Sequence, residues 1–179
     1  MDWRVLSEII KLVGKPQLHD IDLKYLELKT YLVDVSLLRE HEEIIPEHVE
    51  FVKKLILSYR AIKYPILVDA RTLTVLDGHH RLYVVKELGL KYIPVFFVDY
   101  TKSYVDVTSF RKEYRVTKVL VIRRAISRKK FPPRTSRHVL IGAQVPASLV
   151  PLTALKRAYT NTLPILHIGN YSEYAINGT

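Results

Sequence analysis

The five residues Asp77-Gly78-His79-His80-Arg81 bring a carboxylate, a glycine, two imidazoles and a guanidinium together in one stretch. An apolar run, Thr72–Leu76, leads into them, and helical spacing over 79–88 follows. The pentad therefore sits where a strand ends and a helix starts. The first N–H groups of a helix lack intrahelical partners and carry the positive end of the macrodipole. A glycine there lets a ligand come close to the backbone, and the flanking His79, His80 and Arg81 add donors. This chemistry suits a phosphate. Asp77 has three open roles: helix cap, magnesium ligand, or proton acceptor for an attacking hydroxyl. Adjacent histidines on a helix point about 100° apart, so they share one metal ion poorly.

A second feature is electrostatic. The chain carries a formal net charge of +10. Arg111 to His138 holds almost nothing but basic charge, with Glu113 its lone acid, and the remainder is balanced. One local positive field attracts anions, either nucleic acid or a phosphorylated small molecule. The run has few aromatics (Tyr114, Phe131), so it is a poor stacking platform for single strands.

The elements that position these groups follow from spacing and punctuation. Asp2 caps a first helix whose apolar face is Val5, Leu6, Ile9, Ile10 and Val13, ending at Gly14. Residues 16–22 connect it to a strand over 26–38, then to a polar turn, Arg39-Glu40-His41-Glu42-Glu43. Pro46 opens a second helix with Val49, Val52, Leu55, Ile56 and Tyr59 at helical spacing. Residues 65–68 and 72–76 read as a hairpin. Gly89 is a left-handed cap for the helix over 79–88, and a central strand covers 92–100. Segments 105–110 and 117–122 read as strands, and Pro132-Pro133 bars regular structure across 127–137. Apolar stretches recur at 145–155 and 163–168 before the chain frays from Tyr171. Alternating strands and helices around one sheet indicate α/β (α+β) architecture.

Composition narrows the rest. At 179 residues and 20.8 kDa, with 48% hydrophobic and 26% charged residues, the chain suits about one domain. It contains no cysteine, which excludes disulfides, zinc thiolates, iron–sulfur clusters and thiol catalysis. Runs such as Ile93–Val98 fall far short of the ~20 residues of a membrane span, and no leader is visible, so a soluble cytoplasmic protein is expected. Scarce Asn, Gln, Met and Cys follow a thermophile tendency.

Residues 65–69, 75–81, Lys86-Glu87-Leu88-Gly89-Leu90 and Ile93-Pro94-Val95 together resemble the ParB/sulfiredoxin superfamily, over about 27–100. The resemblance implies a mixed sheet flanked by helices. Sulfiredoxin chemistry itself needs a cysteine in this motif and is excluded. A further block, Phe131-Pro132-Pro133-Arg134-Thr135-Ser136-Arg137-His138-Val139, resembles the C-terminal motif of archaeal free L-serine kinases, as do His41-Glu42 and the pentad. The region between Phe110 and Lys130 is short for that family. The expected organisation is a core over 1–110 and a basic extension over 111–179 that completes the active-site cleft.

That resemblance implies phosphoryl transfer from ATP or ADP, with Mg2+, to the hydroxyl of L-serine, giving O-phospho-L-serine, which would feed cysteine synthesis. It implies that Gly78, His79, His80 and Arg81 bind nucleotide phosphates. Asp77 is the candidate base and, through magnesium, a candidate metal ligand. Glu42 is the candidate partner of the serine ammonium or hydroxyl, with Glu43 as the rival position. Thr135, Ser136, Arg137 and His138 are assigned to substrate and transferring phosphate, and Ser109-Phe110 to the pocket wall. The rival readings are a ParB-like DNA-binding module and a nucleotide hydrolase. No helix-turn-helix is evident after the core, which counts against DNA binding.

Overall fold

The computed structural model describes residues 2–13 and 29–156, and the backbone of Ile165–Ile168. The expected end of the first helix at Gly14, the connector over 16–22 and the tail from Tyr171 lie outside the described residues. The elements run α1 (Trp3–Val13), β1 (Thr30–Asp34), α2 (Pro46–Tyr59), β2 (Ala61–Ile62), β3 (Ile66–Asp69), β4 (Val75–Asp77), α3 (His79–Glu87), β5 (Tyr92–Val98), β6 (Val105–Ser109), α4 (Lys118–Ser127), β7 (Ser136–Leu140), β8 (Val150–Pro151) and β9 (Ile165–Ile168). The central sheet has the order β4-β3-β5-β1-β9. It is mixed: β3 and β5 are parallel, and the other pairs are antiparallel.

Period-two alternation sends side chains from each central strand to two cores. On one face Ile66, Val68, Val75, Val95 and Phe97 pack with Val49 and Ile56 of α2 and Leu82 and Val85 of α3. On the other, Leu67, Leu76, Phe96 and Val98 pack with Val5 and Ile9 of α1 and Val121 and Ile122 of α4. Both faces are covered, so β3 and β5 are buried along their whole length.

The expected hairpin over 65–76 forms as antiparallel β3–β4, and Gly89 adopts a left-handed φ of 65°. Segment 117–122 is a correction. It is helical, because Thr117 Oγ1 accepts the Leu120 N–H as an N-cap and Val121, Ile122 and Ala125 share the buried face. β-branched residues suggested a strand there; tertiary burial of one helical stripe overrides that propensity. The bar on regular structure ends sooner than expected. Ser136 already belongs to β7, which pairs antiparallel with β6 from Ser109↔Ser136 to Val105↔Leu140.

Candidate active site

The start of α3 is built around Gly78, which takes φ 101°. An added Cβ would collide with Ile66 Cγ2 and stand 2.8 Å from Ile66 Cβ. Only glycine fits both the backbone and the close approach to β3. The first intrahelical bond is Leu82 N–H to Gly78 carbonyl, so the N–H groups of His79, His80 and Arg81 have no i−4 partner. Gly78→Ala is expected to lower unfolding stability by about 2 kcal/mol or more through strain. Urea denaturation checks this, and a stability equal to wild type would contradict the geometry.

Arg81 does not reach freely into solvent. Its guanidinium donates to the Tyr64 and Pro65 carbonyls at 2.9 Å and to Asp77 Oδ2 at 2.7 Å. It thus ties α3 to the loop before β3 and orients the Asp77 carboxylate, which is 68% exposed at the cavity mouth. His80 Nε2 accepts the Ile45 N–H at 3.0 Å, fixing its ring at the N-terminus of α2 beside His48. His79 turns inward. Its side chain is buried and its Nε2 has no protein partner. Its contribution to an anion is therefore its backbone N–H.

The acidic turn and the C-terminal loop, far apart in sequence, meet here. Residues 41–43 run parallel to Phe131, with Phe131 N–H donating to His41 carbonyl and Glu43 N–H to Phe131 carbonyl. Glu42 then receives the loop. Its Oε1 accepts the Arg134 N–H at 2.8 Å, and its Oε2 accepts the N–H groups of Thr135 and Ser136 and the Ser136 hydroxyl, at 3.2, 2.8 and 2.7 Å. Arg134 adopts a left-handed φ of 53° to present these amides in succession. Glu42, not Glu43, is the carboxylate that the loop engages.

A cavity of about 710 Å³ opens between these parts. Glu42, Asp77, Gly78, His79, His80, Arg81, Phe110 and Ser136 all line it, so the two motif blocks share one space. Three expected substrate groups do not line it. Thr135 is buried and its hydroxyl is spent on the Pro132 carbonyl at 2.7 Å. Arg137 lies on the outward-facing side of β7, over the Phe110 ring at 5.7 Å. His138 lies beneath the site, bonded to Tyr100 Oη at 2.7 Å. Strand alternation explains the split: residues 136 and 138 turn inward, 137 outward.

Sequence reasoning missed two lining features. Arg134, not Arg137, presents its side chain to the cavity. The wall of α2 is apolar: Leu55 and Tyr59 line the cavity and stay exposed, and Val52 lines it while also packing against the core. Helical spacing groups them with Val49 and Ile56, and spacing alone does not separate a cavity wall from a core.

Beneath the cavity, His41, His79 and His138 cluster, with His41 4.6 Å from the His79 ring and 5.5 Å from His138. Burial pulls the His41 pKa down to about 4, against a partial upward pull from its Val75 bond. Burial also pushes His79 and His138 well below the usual range, with neighbouring imidazoles adding to it. All three are thus neutral in the fold. A histidine whose folded pKa is depressed contributes stability above its unfolded pKa near 6.5, and loses it as pH falls. With up to three protons taken up on unfolding, stability should fall by as much as about 4 kcal/mol per pH unit between about 6.5 and 4. Urea unfolding across that range checks this; a flat profile would contradict neutral burial.

Among the described residues no group of three or more His, Cys, Asp or Glu is placed to hold a metal ion, and no helix is long and apolar enough to cross a membrane.

No protein-family model matches the chain. Over 94 residues it is 38% identical to an ATP-dependent L-serine kinase of Staphylothermus marinus, covering 50% of this chain and 36% of that protein. Over 79 residues it is 35% identical to a ParB-like protein of Sulfolobus acidocaldarius, covering 42% of this chain and 37% of that one. A solved free serine kinase in complex with AMP matches 76% of this chain and 97% of its own, with a TM-score of 0.66 at 14% identity. The chain has the fold of the free serine kinases. The resemblance read from the sequence is borne out in local identity and in architecture. The chain spans little more than a third of the length of these curated relatives.

Proposed function

We propose that the chain phosphorylates free L-serine from a nucleotide, ATP or ADP, to give O-phospho-L-serine. The observation that carries this reading is the docking of the Arg134–Ser136 amides on Glu42, beside the same cavity that receives the start of α3. Phosphoryl transfer needs charge neutralisation and alignment more than covalent chemistry. The N–H groups of residues 79–81 and the Arg134 side chain supply positive potential for phosphates. The apolar wall of α2 and the Tyr59 ring suit a nucleobase by size and polarity. Glu42 Oε1, bearing one donor, meets the serine ammonium or hydroxyl. Asp77 takes the hydroxyl proton as the oxygen attacks phosphorus. Phe110 closes the rim with Arg137 over it.

Magnesium fits the one Asp77 carboxylate at the mouth, since this ion is held mainly by phosphate oxygens and water and needs few protein ligands. When bound it neutralises charge on the transferring phosphate; orientation of Asp77 comes from Arg81. The names of the curated relatives favour ATP as donor.

Incubation with labelled ATP or ADP, with and without L-serine, tests the reading. Serine-dependent consumption with a labelled serine product is expected. Phosphate release indifferent to serine would replace it with a hydrolase. No consumption, together with salt-dependent binding of duplex DNA, would replace it with a ParB-like binder.

A further inference from the structure

The hydrogen bonds behind Glu42 leave one proton with two acceptors. His41 Nδ1 lies 2.7 Å from the Val75 carbonyl oxygen. A carbonyl only accepts, so Nδ1 carries the ring proton. With the ring neutral at physiological pH, Nε2 is an acceptor, and it lies 2.8 Å from Ser136 Oγ. The same Oγ lies 2.7 Å from Glu42 Oε2, another pure acceptor in its ionised form. Ser136 has a single hydroxyl proton and cannot serve both. The groups packed around the His41 ring do not resolve the competition: His79 and His138 are themselves held neutral by burial, and the Phe131 ring has no N–H or O–H to give.

We propose that Ser136 and His41 are positioning residues for Glu42, the Ser136 hydroxyl donating to Glu42 while its carboxylate is bare and turning to His41 Nε2 when substrate neutralises that charge. This rests on the reading of Glu42 as the carboxylate that meets a substrate ammonium or hydroxyl. A bare carboxylate is the stronger acceptor, because hydrogen bonds to ionised groups are roughly twice as strong as neutral ones. Once a cation or proton occupies Glu42, the imidazole nitrogen becomes the better partner. Both Glu42 Oε2 and His41 Nε2 are already within bonding distance of Oγ, so only the hydroxyl hydrogen swings, exchanging one hydrogen bond for the other with no movement of heavy atoms required. The three backbone N–H groups of residues 134–136 hold the loop on Glu42 throughout. The arrival of substrate is thereby felt at a buried ring one residue away.

The His41 Nε2 resonance of the 15N-labelled chain reads the switch directly, since accepting a hydrogen bond moves an unprotonated ring nitrogen upfield. An upfield displacement is expected when wild type is saturated with L-serine. The same displacement is expected without serine in Glu42→Gln, whose neutral amide is the weaker acceptor. Ser136→Ala should abolish the response to serine, and Ser136→Thr should restore it. An Nε2 resonance that is identical in wild type with and without serine, and in Glu42→Gln, overturns the switch. The two readings fail separately. Phosphoserine formation with an unmoved resonance sinks the switch alone. A displaced resonance in Glu42→Gln, together with no serine binding by the wild-type chain, sinks the serine reading alone.

Discussion

Asp77→Asn is expected to lower kcat for phosphoserine formation by about 10²–10⁴-fold, the usual contribution of a positioned general base. Asparagine keeps the size of the side chain and an oxygen that accepts from Arg81, so the guanidinium stays anchored on Tyr64 and Pro65. What is lost is the negative charge and the capacity to take a proton. The fold should tolerate the change. Asp77 is largely exposed, and ion pairs in such settings are worth about 0–1 kcal/mol. The melting temperature should therefore stay within a few degrees while turnover collapses. Steady-state kinetics paired with a thermal scan read both quantities. Turnover within tenfold of wild type would remove Asp77 as the base.

Glu42→Gln should act on a different parameter. Four donors converge on the two Glu42 oxygens. An amide replaces one of those acceptors with a donor, so at least one bond, from Arg134, turns repulsive. The substrate loses its charged partner at the same time. A hydrogen bond to a charged group contributes roughly 1.5–3 kcal/mol, which corresponds to a KM for serine raised on the order of 10–100-fold. The KM for nucleotide should change much less, because α3 and the α2 wall are untouched. An unchanged serine KM would reduce the acidic turn to a loop anchor with no substrate role. The two substitutions thus separate proton removal at one carboxylate from substrate capture at the other.

The parts of this site that were legible in the sequence are those governed by local rules. A glycine between an apolar strand and a helical pattern has few conformations open to it, and Gly78 adopts the one that exposes the α3 N–H groups. The central strand β5 and the β3–β4 hairpin follow from apolar runs and turn residues. The docking of residues 134–136 on Glu42 was not legible: family resemblance assigned Glu42 and the loop each to the substrate, and no local pattern links residues some ninety positions apart. Strand register was not legible either. A shift by one residue exchanges the faces of Ser136 and Arg137, and the structure puts the serine inside. The histidines illustrate a similar limit. His138 looks cationic in a basic run, yet desolvation beside Tyr100 lowers its pKa and makes it a neutral, half-buried residue. The helix over 118–127 was hidden by its β-branched content, and its Thr117 cap was the overlooked signal.

The central claim is that the start of α3 and the loop over 134–136 form one site. Amide hydrogen exchange on the wild-type chain, with nucleotide added first and L-serine second, addresses it most directly. Slower exchange at residues 78–82 with nucleotide, followed by slower exchange at residues 134–136 with serine, is the predicted result. Protection that stays confined to one of the two segments at saturating concentrations of both ligands would contradict it.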